Sequence, residues 1–82
     1  MDVKVKLIGR YKNIIGKTEI TLKIENGDTI WHVVDVLIKK YPIIEKDKKF
    51  IMVLKNNIYT TIDEKILYGD EITISPPVVS GG

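Results

Sequence analysis

Apolar and polar positions change their period along this chain, and each change marks an element. Val3-Lys4-Val5-Lys6-Leu7 alternates with period two and is rich in β-branched residues, which predicts a half-buried strand. Between Gly9 and Gly16 the apolar residues Tyr11, Ile14 and Ile15 suggest one helical turn within a connection, with Gly16 ending it in the left-handed region. Residues 19–25 alternate again, placing Ile20, Leu22 and Ile24 on one face, and Asn26-Gly27-Asp28 is turn chemistry.

The period then lengthens. Ile30, Val33, Val34, Leu37, Ile38 and Tyr41 recur at i, i+3, i+4, i+7, i+8 and i+11, the apolar stripe of an amphipathic helix. Asp28 or Thr29 is expected to cap its first turn, Lys39 and Lys40 suit the negative end of its dipole, and Pro42 stops it. Residues 50–55 predict a third strand, apolar on both faces. Asn56-Asn57 offers a tight hairpin turn, because Asn tolerates positive φ, and Ile58-Tyr59-Thr60 returns. Leu67-Tyr68-Gly69-Asp70 is a further turn, and residues 71–75 form the last strand.

The order strand, strand, helix, strand, short strand, strand gives one helix that must cover one face of a mixed sheet, since neither apolar surface can stay wet. The expected class is α+β, a ubiquitin-like β-grasp with a sheet of four to five strands under one main helix. The first and last strands are then central, and the chain leaves from the middle of the sheet. Residues 1–75 make the domain and residues 76–82 a flexible Gly-Gly tail.

Composition narrows the function. Eighty-two residues form one domain and leave little room for a deep catalytic cavity. A net charge of +2 on dispersed lysines, without aromatic residues interleaved, argues against nucleic acid. There is no cysteine, which excludes a disulfide scaffold, a thiolate nucleophile and a cysteine-ligated zinc. The first ten residues alternate and so do not make a signal peptide, and no apolar run is long enough to span a membrane. The expected location is the cytoplasm. The one histidine, His32, has no second imidazole for a metal site and reads as a solvent-facing helix residue, with Trp31 beside it as a rim packer. The mixed run Glu45-Lys46-Asp47-Lys48-Lys49 reads as a solvated loop, and Asp63-Glu64 as an acidic pair near a turn.

The chemistry is concentrated at the end of the chain. Pro76 and Pro77 cannot donate to a β-ladder, so the sheet must end near Ser75, and two prolines stiffen the exit in an extended form. Eight residues from Ser75 to Gly82 reach roughly 26 Å when stretched. Val78 and Val79 lie beyond any position the core can use and suit a partner's channel. Gly81 and Gly82 have no side chains, so a terminal carboxylate can be threaded into a narrow site. A carboxylate is a poor electrophile and needs activation as a mixed anhydride. The chain has no complete phosphate-cradling Gly-x-x-x-x-Gly-Lys-Ser/Thr loop, since Gly16-Lys17-Thr18 has Tyr11 in place of the first glycine, so ATP must be used by another protein. Composition alone yields a terminal Gly-Gly in roughly one chain in two hundred. The Pro-Pro-Val-Val lead-in directly after an alternating strand sets this one apart from a frayed end.

From Leu67 to Gly82 the sequence resembles the small subunits of molybdopterin synthase: a leucine, a Gly-Asp turn, a hydrophobic strand, a Pro-Pro-Val lead and a terminal Gly-Gly. Ser80 stands where that family usually has alanine. The resemblance implies a sulfur carrier with no catalytic activity alone and no bound cofactor, monomeric when free. Gly82 would be adenylylated by a ubiquitin-activating-type adenylyltransferase that uses ATP, then thiocarboxylated. Gly81 would allow threading, and Pro76, Pro77, Val78, Val79 and Ser80 would guide the tail into the large synthase subunit, where sulfur passes to the dithiolene of molybdopterin. The outward residues of the third strand, Phe50 and Met52 among them, are expected to form a docking face for both partners. The thiamine and tRNA-thiolation carriers and the archaeal small modifiers, which join to lysines, are the alternatives within the same superfamily.

Overall fold

The computed structural model describes residues 1–77. Its elements are β1 (Asp2–Leu7), α1 (Arg10–Ile15), β2 (Glu19–Lys23), α2 (Ile30–Lys40), a 3₁₀ helix (Pro42–Asp47), β3 (Met52–Lys55), β4 (Ile58–Thr60) and β5 (Glu71–Ser75). Among the described residues the five strands form one sheet in the order β2-β1-β5-β3-β4. β1 and β5 pair in parallel, and every other neighbouring pair is antiparallel. This is the ubiquitin-like β-grasp, with the last strand in the middle and the first beside it.

Alternation sorts each strand's residues between two faces. Val3, Val5 and Leu7 of β1, Ile20 and Leu22 of β2, Val53 of β3, and Ile72 and Ile74 of β5 are buried. Ile30, Val33, Val34, Leu37 and Ile38 close that face from α2, so the helical stripe expected from the sequence is the core-facing stripe. Tyr41 continues it as a partly buried residue packed on the core. Truncating Leu37, which is fully buried, to alanine would cost about 2–5 kcal/mol in a core of this kind.

The helix start departs from expectation. Thr29 occupies the N-cap position in extended geometry, but neither it nor Asp28 makes a side-chain cap. The 61–66 loop supplies the acceptors: Ile30 N–H donates to Glu64 O and Trp31 N–H to Ile62 O, each at 2.9 Å. Asp28 instead accepts from Glu25 N–H at 3.2 Å, closing the turn around Gly27. A tertiary contact therefore satisfies the free first-turn amides that sequence assigns to a local side chain.

Two further differences lie between α2 and β3. The 3₁₀ helix continues the chain past Pro42, buries Ile44 and takes in Glu45, Lys46 and Asp47, so the charge run is only partly a solvated loop. The third strand is also shorter than its apolar run. Phe50 lies in a turn, its N–H donating to Asp47 O at 2.7 Å, and the ladder begins at Met52. The Phe50 N–H is satisfied by that turn, so it does not need a strand acceptor.

Candidate functional site

The described part of the tail is its root, and three elements meet there. β5 runs up the centre of the sheet to Ser75, whose ladder partner is Met52 at the start of β3. On the other side Ile8 N–H donates to Ile74 O at 3.3 Å, just after β1 ends. Pro76 then lies against Gly9, the residue that opens α1. Gly9 has φ 63° and ψ −144°, a conformation essentially restricted to glycine. A Cβ built there would stand 3.2 Å from Pro76 Cγ and 3.3 Å from Pro76 Cδ. Ser75 Oγ donates to Pro76 O at 3.1 Å.

The short helix α1 is fixed from below. Tyr11 is fully buried, and its hydroxyl donates to Asp47 Oδ2 at 2.8 Å. Arg10 reaches the same oxygen at 2.7 Å, with its guanidinium 5.7 Å from the Tyr11 ring centroid. Burial first, then the hydrogen bond to Asp47, pushes the Tyr11 phenol well above its usual range. Gly16 closes α1 in the left-handed conformation, φ 79° and ψ 16°, as expected.

Sheet pairing defines the face away from α2. Met52 and Leu54 of β3 alternate with buried Val53 and pair with Ser75 and Thr73 of β5; Tyr59 of β4 pairs with Leu54. Met52 and Leu54 are half-buried and Tyr59 is exposed, so this half of the face is largely apolar. The other half is charged, with Lys6 3.0 Å from Glu71 and Lys4 3.9 Å from Glu19. The apolar half begins beside the tail root. Of the two docking residues expected from β3, Met52 lies on this face, and Phe50 lies ahead of the strand as an exposed turn residue. Leu54 and Tyr59 join Met52 through cross-strand register, which strand-by-strand reading does not reveal.

The far end of β3 is held by a polar cluster. Lys55 Nζ lies 3.0 Å from Glu64 Oε1 and 3.6 Å from Asp70 Oδ2. Asn56 Nδ2 donates to Asp70 Oδ1 at 3.0 Å, and Asn56 Oδ1 accepts from Glu71 N–H at 2.9 Å. The Leu67 N–H bond holds the Asp70 carboxyl below its usual range, assisted by Asn56 and Lys55 against partial burial. These contacts bind the β3–β4 hairpin to the turn before β5. His32 is exposed, 3.9 Å from Asp28, and Trp31 lines a shallow depression of about 530 Å³ with Ile51, Ile62, Lys48 and Lys49. Lys48 Nζ stands 4.4 Å from the Trp31 ring centroid. Among the described residues no group of His, Cys, Asp and Glu is placed to hold a metal ion, and no helix is long and apolar enough to cross a membrane.

Pro76 and Pro77 lie beyond the last strand, where the sequence ends the ladder. Val78, Val79, Ser80, Gly81 and Gly82, the remaining expected site residues, lie outside the described residues.

Comparison with known proteins agrees with this architecture. The model of the ThiS family matches residues 5–82. Over the whole chain the sequence is 33% identical to the molybdopterin synthase sulfur carrier subunit of Arabidopsis thaliana, 84% of which is covered. The crystal structure of SAMP1 from Haloferax volcanii superposes with a TM-score of 0.81 at 26% identity, covering all of both chains. The solution structure of small archaeal modifier protein 1 from Methanosarcina acetivorans gives 0.79 at 29% identity, covering 99% of this chain and 96% of that one.

Proposed function

The chain belongs to the ThiS family, and on that premise we propose that it is a sulfur carrier acting through the carboxyl group of Gly82, as the small subunit of a molybdopterin synthase. The observation that carries the reading is the 33% identity, along the entire chain, to a plant protein with that role. The fold supports it physically. A strand at the centre of the sheet ends at Ser75, and Pro76 and Pro77 then prevent further pairing, so residues beyond them are available to a partner.

The chemistry runs in two steps. The Gly82 carboxylate attacks the α-phosphorus of ATP on a ubiquitin-activating-type adenylyltransferase, pyrophosphate leaves, and an acyl-adenylate forms. Hydrosulfide attacks the acyl carbon and expels AMP, leaving a thiocarboxylate; a persulfide attacking in its place leaves an acyl disulfide, whose S–S bond a thiol cleaves to release the same thiocarboxylate and a mixed disulfide. The large synthase subunit receives the tail and takes the sulfur. The chain's own contribution is positional. Gly81 and Gly82 admit close approach, Val78, Val79 and Ser80 occupy the partner's channel, and the face of Met52, Leu54 and Tyr59 docks beside it.

Deleting Gly82 tests the reading. With the adenylyltransferase and ATP, the full chain should release pyrophosphate and the shortened chain should release none, while both melt at the same temperature. Equal release from the two chains would remove Gly82 from the chemistry. A second reading, a modifier joined through Gly82 to lysines of other proteins, is favoured by the 26% and 29% identities to small archaeal modifiers. It uses the same activation and differs in the acceptor.

A further inference from the structure

We infer that Gly9 is a positioning residue for the chemistry at Gly82: the absence of a side chain there lets the Pro76 ring seat against α1, and this seat sets the direction in which the tail leaves the sheet. The inference rests on the proposed carrier reading and adds to it a part of the molecule far from Gly82 in sequence.

Three observations carry it. Gly9 takes a backbone conformation that other residues avoid, so the position is built around glycine. A Cβ would meet two ring atoms of Pro76 at 3.2 and 3.3 Å, inside ordinary carbon contact distance, and Pro76 would have to give way. The loop has little freedom to yield in its place, because Tyr11 and Arg10 both anchor α1 to Asp47 on the 3₁₀ helix. Ile8 meanwhile bonds to Ile74 immediately before the tail root. Any displacement therefore falls on Pro76. Since Pro76 has a fixed φ and precedes a second proline, a small rotation there is passed to Pro77 instead of being absorbed at that residue.

Gly16 provides a built-in control. It also has positive φ, yet a Cβ there meets nothing within 4 Å. Gly9→Ala and Gly16→Ala both incur a backbone penalty, larger at Gly9 because its conformation is essentially restricted to glycine, but only the first disturbs Pro76. The experiment measures pyrophosphate release by the adenylyltransferase against concentration of the full-length carrier, for wild type, Gly9→Ala, Gly16→Ala, Pro76→Ala and the Gly9→Ala/Pro76→Ala double variant. Docking through the sheet face dominates KM, whereas tail placement enters kcat. Gly9→Ala should therefore lower kcat on the order of tenfold with KM held within about twofold. Gly16→Ala should leave both at wild-type values. Pro76→Ala removes the ring from the other side of the contact and leaves Gly9 intact, so it should reproduce the kcat loss even if Gly9→Ala folds poorly. The double variant should be no slower than Pro76→Ala alone.

Gly9→Ala behaving like Gly16→Ala, or losses that multiply in the double variant, would overturn the inference. A wild-type chain that releases no pyrophosphate contradicts the carrier reading instead. The seat is then decided by the amide NMR shifts of Val78 and Val79: Gly9→Ala must move them and Gly16→Ala must not.

Discussion

Tyr11 combines burial, a long-range hydrogen bond and a shifted ionisation in one side chain. Its ring is fully buried beneath α1, and its hydroxyl has one acceptor, Asp47 Oδ2, thirty-six residues away in sequence. Ionising the phenol would bury a charge beside a carboxylate, so the folded protein holds the proton above the usual phenol range. With the folded value raised, the unfolded chain loses its proton first as pH increases. The stabilisation is complete below the usual phenol value and is lost as pH rises past it. Tyr11→Phe should remove one tyrosine's share of phenolate absorbance, a share that in the wild type develops together with loss of circular dichroism at alkaline pH. At neutral pH the same variant should lose about 1–3 kcal/mol, because Asp47 keeps Arg10 but lacks its buried donor. A phenolate signal from Tyr11 in the fully folded protein would contradict this account. Nothing local in the sequence pairs Tyr11 with Asp47. Asp47 sits in a mixed charge run that reads as solvated, and only the 3₁₀ helix brings it under α1.

At the level of elements, the β3–β4 hairpin separates backbone from side-chain effects in two adjacent residues. Asn56 and Asn57 both take positive φ, 52° and 69°, which suits a two-residue turn of the twist-matched kind. Asn56 also donates to Asp70 and accepts from Glu71, whereas no side-chain bond of Asn57 is found among the described residues. Asn57→Gly should therefore be neutral or stabilising by a few tenths of a kcal/mol, and Asn56→Gly should destabilise by about 1–2 kcal/mol despite the same backbone relief. Urea unfolding of the two variants decides it, and equal effects would mean that the side-chain bonds carry no weight. The Asn-Asn turn was legible because positive φ is a local property. The strands were legible because period two survives folding, and α2 because five of the six stripe residues are buried and the sixth, Tyr41, partly. The α2 cap was not legible, since its acceptors come from a loop more than thirty residues later. The early start assigned to β3 failed for a related reason: apolarity at Phe50 says nothing about which hydrogen bonds its backbone will make.

For the whole molecule, the strand order turns a list of side chains into a surface. Met52, Leu54 and Tyr59 become neighbours only because β3 lies between β5 and β4, and the tail root lies beside them because β5 is central. Leu54→Asp should weaken binding of the large synthase subunit by about 1–3 kcal/mol while shifting the melting temperature little, as calorimetric titration and thermal unfolding would report. Undiminished binding would remove the face from the docking account. At the tail root the end of the ladder was legible in sequence, since Pro76 and Pro77 cannot donate to a strand partner whatever their surroundings; the expected roles of Gly81 and Gly82 fall outside the described residues. Its seat on Gly9 was hidden, because the two residues are far apart in sequence and the glycine reads simply as a connection.

The central claim is that Gly82 carries sulfur, and the mass of the C-terminal peptide tests it most directly, taken from N-terminally tagged protein purified from its own cells. The account predicts a fraction of peptide in which one oxygen of the Gly82 carboxyl is replaced by sulfur. A peptide found solely as the free carboxylate, with the adenylyltransferase present and sulfur plentiful, would contradict it.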